Sequence, residues 1–471
     1  NVSLAHRQPG SSFKPFVYAT LFNKGYTTET LLFDAPTEFS TACSPTDNPD
    51  INKNCYRPGN YDEVFKGPVT VRSALAESRN IPAVEALYLA GIDDSLQTAK
   101  DMGIEELGSK SQYGLSLVLG GGEVALLDMA SAYSVFANDG VRNPYLAVLK
   151  VEDRDGNILE EYKAKPVRVI PEQTSRQITD ILSDGAARAP AFPPPSPLTY
   201  EDRPVAVKTG TTNDYRDAWI LGFTPQIAVG AWAGNNNNTP MEKRVAGFIV
   251  APMWREFMDE ALKELPVVYF PEPEPIDPGL KPILRGKMGG SSYFIDTSTG
   301  LLATDQTPPE LRREITVPSY HSILYWVNRK DPLGPPPVNP YSDPQFSHWE
   351  YAVQAWAATH GAQNVIPVPP PTAVDNVHIT GEPDFTVLSP GSGQIFGPTE
   401  NIYVNIQYRG KNNFSKVDYY INGRYVNTSL YPQFSFQLSS VSGVIDRNTL
   451  RVVVYDSFQN KNERTIDFGV R

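Results

Sequence analysis

Three short groups of residues have the types and spacing for acyl transfer at a serine. Ser11-Ser12-Phe13-Lys14 sets Ser11 and Lys14 three positions apart. On a helix that puts them on one face, one turn apart. A serine hydroxyl is a weak nucleophile until a base takes its proton. A lysine amine becomes such a base once desolvation or neighbouring positive charge weakens its hold on a proton. A helix start also offers free backbone N–H groups to a developing oxyanion. Ser78-Arg79-Asn80 adds a hydroxyl able to pass a proton to a leaving amine and a carboxamide able to bond a substrate amide. Lys208-Thr209-Gly210-Thr211 follows the apolar run Val205–Val207. Its ammonium and two hydroxyls suit a carboxylate, and Gly210 leaves room for a second backbone to come close. An extended peptide can then pair along this segment as an added strand. Each group alone is common; the order S-x-x-K, S-x-N, K-T-G is the signal.

Rival readings are weaker. Ser12 is a second hydroxyl near Lys14, but its spacing is wrong. A Ser-His-Asp hydrolase needs a histidine base. None of His6, His321, His348, His360 and His378 falls between the motifs, and His6 reads as a loop residue. Gly120 to Ala125 satisfies G-x-G-x-x-A, with Asp139 about 20 residues on. No second βαβ unit follows, so a tight loop lining a cleft is the better reading. Asp50-x-Asn52-x-Asn54 begins like a calcium loop but has Cys55 where glycine is needed and Tyr61 where glutamate is needed. Cys43 and Cys55 have no neighbouring histidine for a zinc site. A disulfide, permitted outside the cytosol, and two free thiols both remain open for them. No metal and no organic cofactor is implied.

The elements that must carry these residues follow from periodicity. Gly10–Gly25 reads as a helix with Phe13, Phe16, Val17 and Leu21 at helical spacing and Pro15 in its first turn. Val69–Leu89 reads helical with a break at Ile81-Pro82. Val205–Val207, Ala218–Phe223 and Ile227–Trp232 are short strands, the last two an antiparallel hairpin. Pro252–Leu262 closes the region as a helix. Proline-rich segments follow at 270–278, 332–344 and 367–371. Between them lie a small β-like piece, Ser292–Ala303, and a helix near Gln345–His360 with Trp349, Val353 and Trp356 on one face. From about Pro383 the period changes to two: Ile402/Val404/Ile406, Val417/Tyr419/Ile421, Phe434/Phe436/Leu438, Leu450/Val452/Val454 and Ile466/Phe468/Val470. With the hairpin signal Asn422-Gly423, roughly seven short strands predict an immunoglobulin-like sandwich without a catalytic constellation.

The chain resembles the transpeptidase domain of class A penicillin-binding proteins well beyond the three motifs. Arg7–Phe16, Tyr56–Asp62, Val69–Leu75, Leu119–Val124, Lys208–Asp214, Arg216–Trp219 and Gly230–Gly234 all look like that family's segments, over about residues 1–265. The resemblance implies a D,D-transpeptidase that cross-links peptidoglycan stem peptides outside the bacterial cytoplasmic membrane. It implies Ser11 as acylated nucleophile and Lys14 as base. Ser78 and Asn80 then assist proton transfer and positioning. Lys208, Thr209 and Thr211, with Gly210 between them, hold the terminal carboxylate of a D-Ala-D-Ala end. β-Lactams are expected to acylate the same serine. Such proteins carry a membrane anchor and a glycosyltransferase domain ahead of this one, and strands ahead of the active-site helix. The chain is therefore expected to be an N-terminally truncated piece, with an incomplete antiparallel sheet flanked by helices.

The fold expected is α+β, penicillin-binding and serine β-lactamase-like, over residues 1–270. A proline-rich connecting region spans 271–382, and the all-β sandwich spans 383–471. Length and composition agree. The 471 residues suit two or three domains, and 43 prolines, about 9% against a usual ~5%, mark linkers. A net charge of -12 excludes a general nucleic-acid binder. No apolar run approaches the ~18 residues of a membrane span. Three alternatives use the same site: a D,D-carboxypeptidase with water as acceptor, a serine β-lactamase, or an inactive sensor of β-lactam or cell wall. The β-lactamase needs a glutamate aimed at a deacylating water, and no Glu-x-x-Leu-Asn pattern lies between Ser78 and Lys208. The sandwich is expected to hold a cell-wall or protein partner.

Overall fold

The computed structural model describes residues 5–361, 373–379, 381–437, 441 and 443–471. The chain divides into two compact units, Asn1–Gly289 with Ser319–Asn364, and Gly290–Pro318 with Val365–Arg471. The proline-rich stretch is thus shared between two bodies; its segment 367–371 lies outside the described residues.

The first unit is built around α1 (Lys14–Asn23), apolar on every side and buried from Lys14 to Phe22, as a central helix must be. Phe16 lies 5.7 Å from the Tyr133 ring and 5.8 Å from that of Phe136, both on the helix Leu126–Ala137. The expected single helix from Gly10 is instead a 3-10 turn, Gly10–Phe13, running into α1. Pro15 is the second residue of α1, where its missing N–H costs nothing. The next region also departs from expectation. Residues 67–70 form β2, paired with β1 (Leu31–Asp34). Helix α2 (Val71–Ala76) follows, capped by Thr70. The break falls at 77–80, ahead of α3 (Ile81–Ala90) rather than at Ile81-Pro82. Ser78 there has φ +61°.

The sheet is three antiparallel strands: β3 (Ala206–Thr211), β4 (Asp217–Phe223) and β5 (Ala228–Gly234), with β4 central. Alternation divides β4 between two cores. Trp219, Leu221 and Phe223 join the α1 core. Ala218 and Ile220 join Val205, Val207, Trp254 and Met258 beneath the helix Ala251–Leu262. A central strand buried on both faces reads as a near-continuous apolar run, which Ala-Trp-Ile-Leu-Gly-Phe is. The helix Phe346–Trp356 belongs to this unit, with Trp349 and Val353 buried. Cys43 and Cys55 are disulfide-bonded.

Among the described residues the second unit holds one antiparallel pair, β6 (Gly290–Asp296) with β7 (Arg312–Pro318), and eight C-terminal strands. Phe385–Ser389, Asn401–Tyr408 and Gln433–Gln437 make one sheet. Gln394–Phe396, Lys461–Val470, Arg447–Asp456, Phe414–Ile421 and Arg424–Ser429 make the other. Ile402, Val404, Ile406, Val417, Tyr419, Ile421, Leu450, Val452 and Val454 share one core between them. Asn422 (φ 50°) and Gly423 (φ 78°) turn the expected hairpin. Leu438 lies outside the described residues. Asp296, Asp375 and His378 are buried together, with His378 Nε2 3.0 Å from Asp296 and Nδ1 2.5 Å from Asn460 Oδ1.

Candidate active site

Close backbone packing brings the first and third motifs together. Gly10 has φ +56°, and a Cβ there would sit 2.5 Å from Thr211 O. A Cβ on Gly210 would sit 2.1 Å from Pro9 O and 2.9 Å from Ser12 N. Only two glycines let the turn cross the end of β3 at this distance. The crossing sorts the two serines. Ser12 points inward, wholly buried, its Oγ donating to Pro9 O at 2.7 Å and its carbonyl accepting from Tyr133 at 2.6 Å. Ser11 lines a cleft with Tyr61, Glu77, Ser78, Asn80, Leu119, Phe192, Thr209 and Thr211.

The second motif reaches the same place from the turn before α3. Lys14 Nζ donates to Ser78 O at 2.7 Å, Arg79 O at 2.9 Å and Asn80 Oδ1 at 2.9 Å, with Ser78 Oγ at 3.5 Å. Lys208 Nζ donates to the same Ser78 Oγ at 2.8 Å. Ser78 therefore stands between two lysines. Asn80 is oriented by its other bonds, its Nδ2 donating to Gly59 O at 2.8 Å. Among the described residues the Lys14 bonds go to the turn and none goes to Ser11. Catalytic bonds of this kind commonly tighten only with substrate in place.

Both lysines are buried, and burial is the largest reason each holds its proton weakly. Lys14 is pushed well below the usual lysine range by burial, then by the charges of Lys208 and Arg79, against the opposing Asp34. Lys208 is lowered to about 7 by burial and then by Arg188. Three carbonyl-type acceptors match the three hydrogens of a Lys14 ammonium. The neutral amine keeps two of them and frees a lone pair, the form a base needs. Thr209 is buried, and Thr211 is half-buried at the strand end, where its Oγ1 accepts from Ala246 N at 2.9 Å. β3 has no strand on its outer edge among the described residues, so the cleft runs beside a free strand edge.

Every residue named from the sequence for this site lies at or beside the cleft. His6 does not: its Nε2 lies 2.6 Å from Glu106. Gly120 ends a 3-10 turn in the left-handed region and makes a tight loop. Several contributors went unassigned. Arg79, which the sequence gives no role, is buried and bonded to Asp34 and Asp62. Asn60 bridges Asp34 and Asn80. Arg188 sits behind Lys208, its guanidinium on Leu182 O and Leu198 O. The only sequence signal for Asn60 and Asp62 was the Tyr56–Asp62 segment.

Residues 4–259 match the family model described as the penicillin binding protein transpeptidase domain. A penicillin-binding protein 1A from Aquifex aeolicus (strain VF5) is 36% identical over 267 residues, covering 56% of this chain and 34% of that protein. The protein of that name from Neisseria gonorrhoeae is 34% identical over 269 residues, covering 55% and 32%. The chain thus spans about a third of the length of these relatives. A structure of the PonA1 protein from Mycobacterium tuberculosis in complex with penicillin V has a TM-score of 0.51 at 23% identity, covering 59% of this chain and 74% of that one, a likeness of fold.

Proposed function

This chain belongs to the penicillin-binding protein transpeptidase family, and from that premise we propose that it is a serine D,D-transpeptidase acting on peptidoglycan stem peptides that end in D-Ala-D-Ala. The observation that carries the reading is Ser78 Oγ between Lys14 and Lys208 at 3.5 and 2.8 Å, beside the cleft that Ser11 lines. Ser11 Oγ attacks the carbonyl between the two D-alanines as its proton passes to the neutral Lys14 amine. The N–H groups that open the turn at Gly10–Phe13, ahead of Ser12 whose N–H is bonded to Pro9 O, are the ones we assign to the developing oxyanion. The C–N bond breaks, and the leaving amine takes a proton from Lys14 through Ser78 Oγ. An amine of a second stem peptide then attacks the ester and gives a proton to the neutral Lys14, the bond from the acyl carbon to Ser11 Oγ breaks, and Oγ takes that proton back. Lys208, Thr209 and Thr211 hold the donor carboxylate, with the peptide extended along β3. Asn80 orients the substrate amide. Water in place of the amine gives carboxypeptidase turnover.

β-Lactams acylate the same serine. Glu77, the carboxylate on the cleft wall, is held by Lys66, which favours a long-lived acyl-enzyme over β-lactamase turnover. We place residues 1–270 as the catalytic domain, 271–382 as its connecting region and 383–471 as an immunoglobulin-like partner-binding sandwich. The two C-terminal sheets with one shared core support the last assignment. The Cys43–Cys55 disulfide supports work outside the cytoplasm. The test is intact-protein mass spectrometry after incubation with penicillin G, with peptide mapping and Ser11→Ala as control. A lasting single adduct on Ser11 is expected. An adduct on another residue, rapid loss of the adduct, or no adduct on folded protein overturns the reading.

A further inference from the structure

Lys14 is held by three oxygens of one turn, the turn that ends α2. Ser78 has φ +61°, a region that non-glycine residues with a Cβ disfavour. The local bonds from Ser78 N to Leu75 O at 3.1 Å and from Arg79 N to Ala74 O at 2.9 Å close α2 around it, and the residue between the two motif positions ties that turn to distant parts of the chain. Arg79 is 1% exposed, and every arm of its guanidinium is used. Nε and Nη2 each lie 2.9 Å from Asp34 Oδ2. Nη1 lies 2.6 Å from Asp62 Oδ2, and Nη2 also donates to Val64 O. Asp34 closes the other flank. Its Oδ1 accepts from Asn60 Nδ2 at 2.7 Å, and Asn60 Oδ1 accepts from Asn80 N at 2.9 Å. One buried carboxylate at the end of β1 thus holds the two residues that follow Ser78, Arg79 directly and Asn80 through Asn60.

We propose that Arg79 and Asp34 are positioning residues for acylation: their buried ion pair locks the 78–80 turn so that Ser78 O, Arg79 O and Asn80 Oδ1 fix the Lys14 amine beside Ser11. The inference rests on the function proposed above. Neither residue lines the cleft, so both act through Lys14 and Ser78. A bidentate guanidinium suits this work because its planar fork fixes direction as well as distance. The pair also acts on Lys14 with opposite signs. The charged groups facing Lys14 are Lys208 from β3, Arg79 from the turn and Asp34 from β1. Arg79 favours the neutral amine and Asp34 the ammonium.

That opposition separates positioning from mere structural support. The assay is the second-order rate constant for acylation by penicillin G across pH, on the full chain, with thermal unfolding run on each variant. Arg79→Met is expected to slow acylation about 10²-fold and to move the acid limb of the profile to higher pH. Asp34→Asn is expected to slow it comparably and to move the same limb to lower pH. Arg79→Lys keeps the charge but cannot span Asp34, Asp62 and Val64 O together, so it should lose at least about tenfold with the limb at its wild-type pH. Limbs that stay put, or move the same way in Arg79→Met and Asp34→Asn, overturn the proposal. Where those two variants fail to fold, Arg79→Lys decides alone, and a wild-type rate overturns it. Wild-type protein that takes no penicillin on Ser11 defeats the proposed function instead, a separable result.

Discussion

Arg188 offers the sharpest test of the electrostatics at the carboxylate site. Lys208 is lowered from 10.5 to about 7, with burial the larger cause and the Arg188 charge the smaller. Removing Arg188 must therefore return less than half of that fall, a rise of less than about 2 pH units. The sign follows from the role. In the role proposed for Lys208 the ammonium form binds the carboxylate of penicillin, so acylation is expected to fall as pH rises through the Lys208 value. In Arg188→Met that alkaline limb should move upward from about 7, with the acid limb little changed. Arg188→Lys keeps a charge and should leave the limb near its wild-type place. Arg188 donates to Leu182 O at 2.7 Å and Leu198 O at 3.2 Å. Losing these donors costs about 1–3 kcal/mol per carbonyl left unbonded, so thermal unfolding must show each variant folded before its profile counts. The assay is stopped-flow acylation by a fluorescent penicillin from pH 5 to 10. Because it reads the second-order constant, the limbs belong to the free enzyme. A limb that stays at the wild-type pH in folded Arg188→Met, or moves downward, refutes the assignment of Lys208 as the titrating carboxylate ligand.

Three further outcomes are expected. Gly210→Ala places a Cβ 2.1 Å from Pro9 O, which forces the turn off the strand. Labelling by fluorescent penicillin should fall by about 10²-fold or more, and labelling at the wild-type rate would show that the crossing does not set Ser11. Replacing Cys43 and Cys55 together by serine opens a loop of sequence separation 12. It should lower stability by about 2–3 kcal/mol, read as a drop in the unfolding midpoint that a reductant reproduces in the wild type. His378→Ala removes the group joining Asp296 to Asn460 in the second unit. Hydrogen exchange across Arg447–Val470 should then quicken by the equivalent of about 2–4 kcal/mol, while acylation at Ser11 keeps its rate.

What could be read in advance follows a physical divide. The motifs Ser11–Lys14, Ser78–Asn80 and Lys208–Thr211 are contiguous, so their chemistry is visible in one line of residues. The sandwich strands were legible because one buried face enforces period two: Ile402 and Val404 are buried while Tyr403 between them is exposed. The β6–β7 pair was half missed, since Arg312–Pro318 carries three charges and lacks that alternation. The turn at 77–80 escapes the sequence because Ser78 takes the left-handed place after a helix end that glycine usually fills, and the side-chain partners that tie the turn down lie far along the chain. Asp34 lies 45 positions from Arg79, and Asp62 lies 17 away. Asp34 itself ends the run Leu-Leu-Phe-Asp, where a lone carboxylate reads as a strand terminus. Periodicity finds elements and local spacing finds nucleophiles, but a clamp assembled by the fold leaves no mark in either.

The two lysines also explain one another. Ser78 Oγ lies 2.8 Å from Lys208 Nζ and 3.5 Å from Lys14 Nζ, so two full charges there would repel across a site that water screens poorly. One lysine has to be neutral. Both are pushed toward the neutral form, Lys14 by burial and then by Lys208 and Arg79 against the opposing Asp34, and Lys208 by burial and then by Arg188. In the roles proposed above, Lys14 is the one that gives up its proton, so that a neutral base stands beside a cationic carboxylate ligand. A donor carboxylate arriving at Lys208 cancels part of the field that had made Lys14 a weak base. Its affinity for a proton then rises at the moment Ser11 must give one up. On the proposed roles, substrate recognition and base strength are coupled through the charge of Lys208 acting on Lys14.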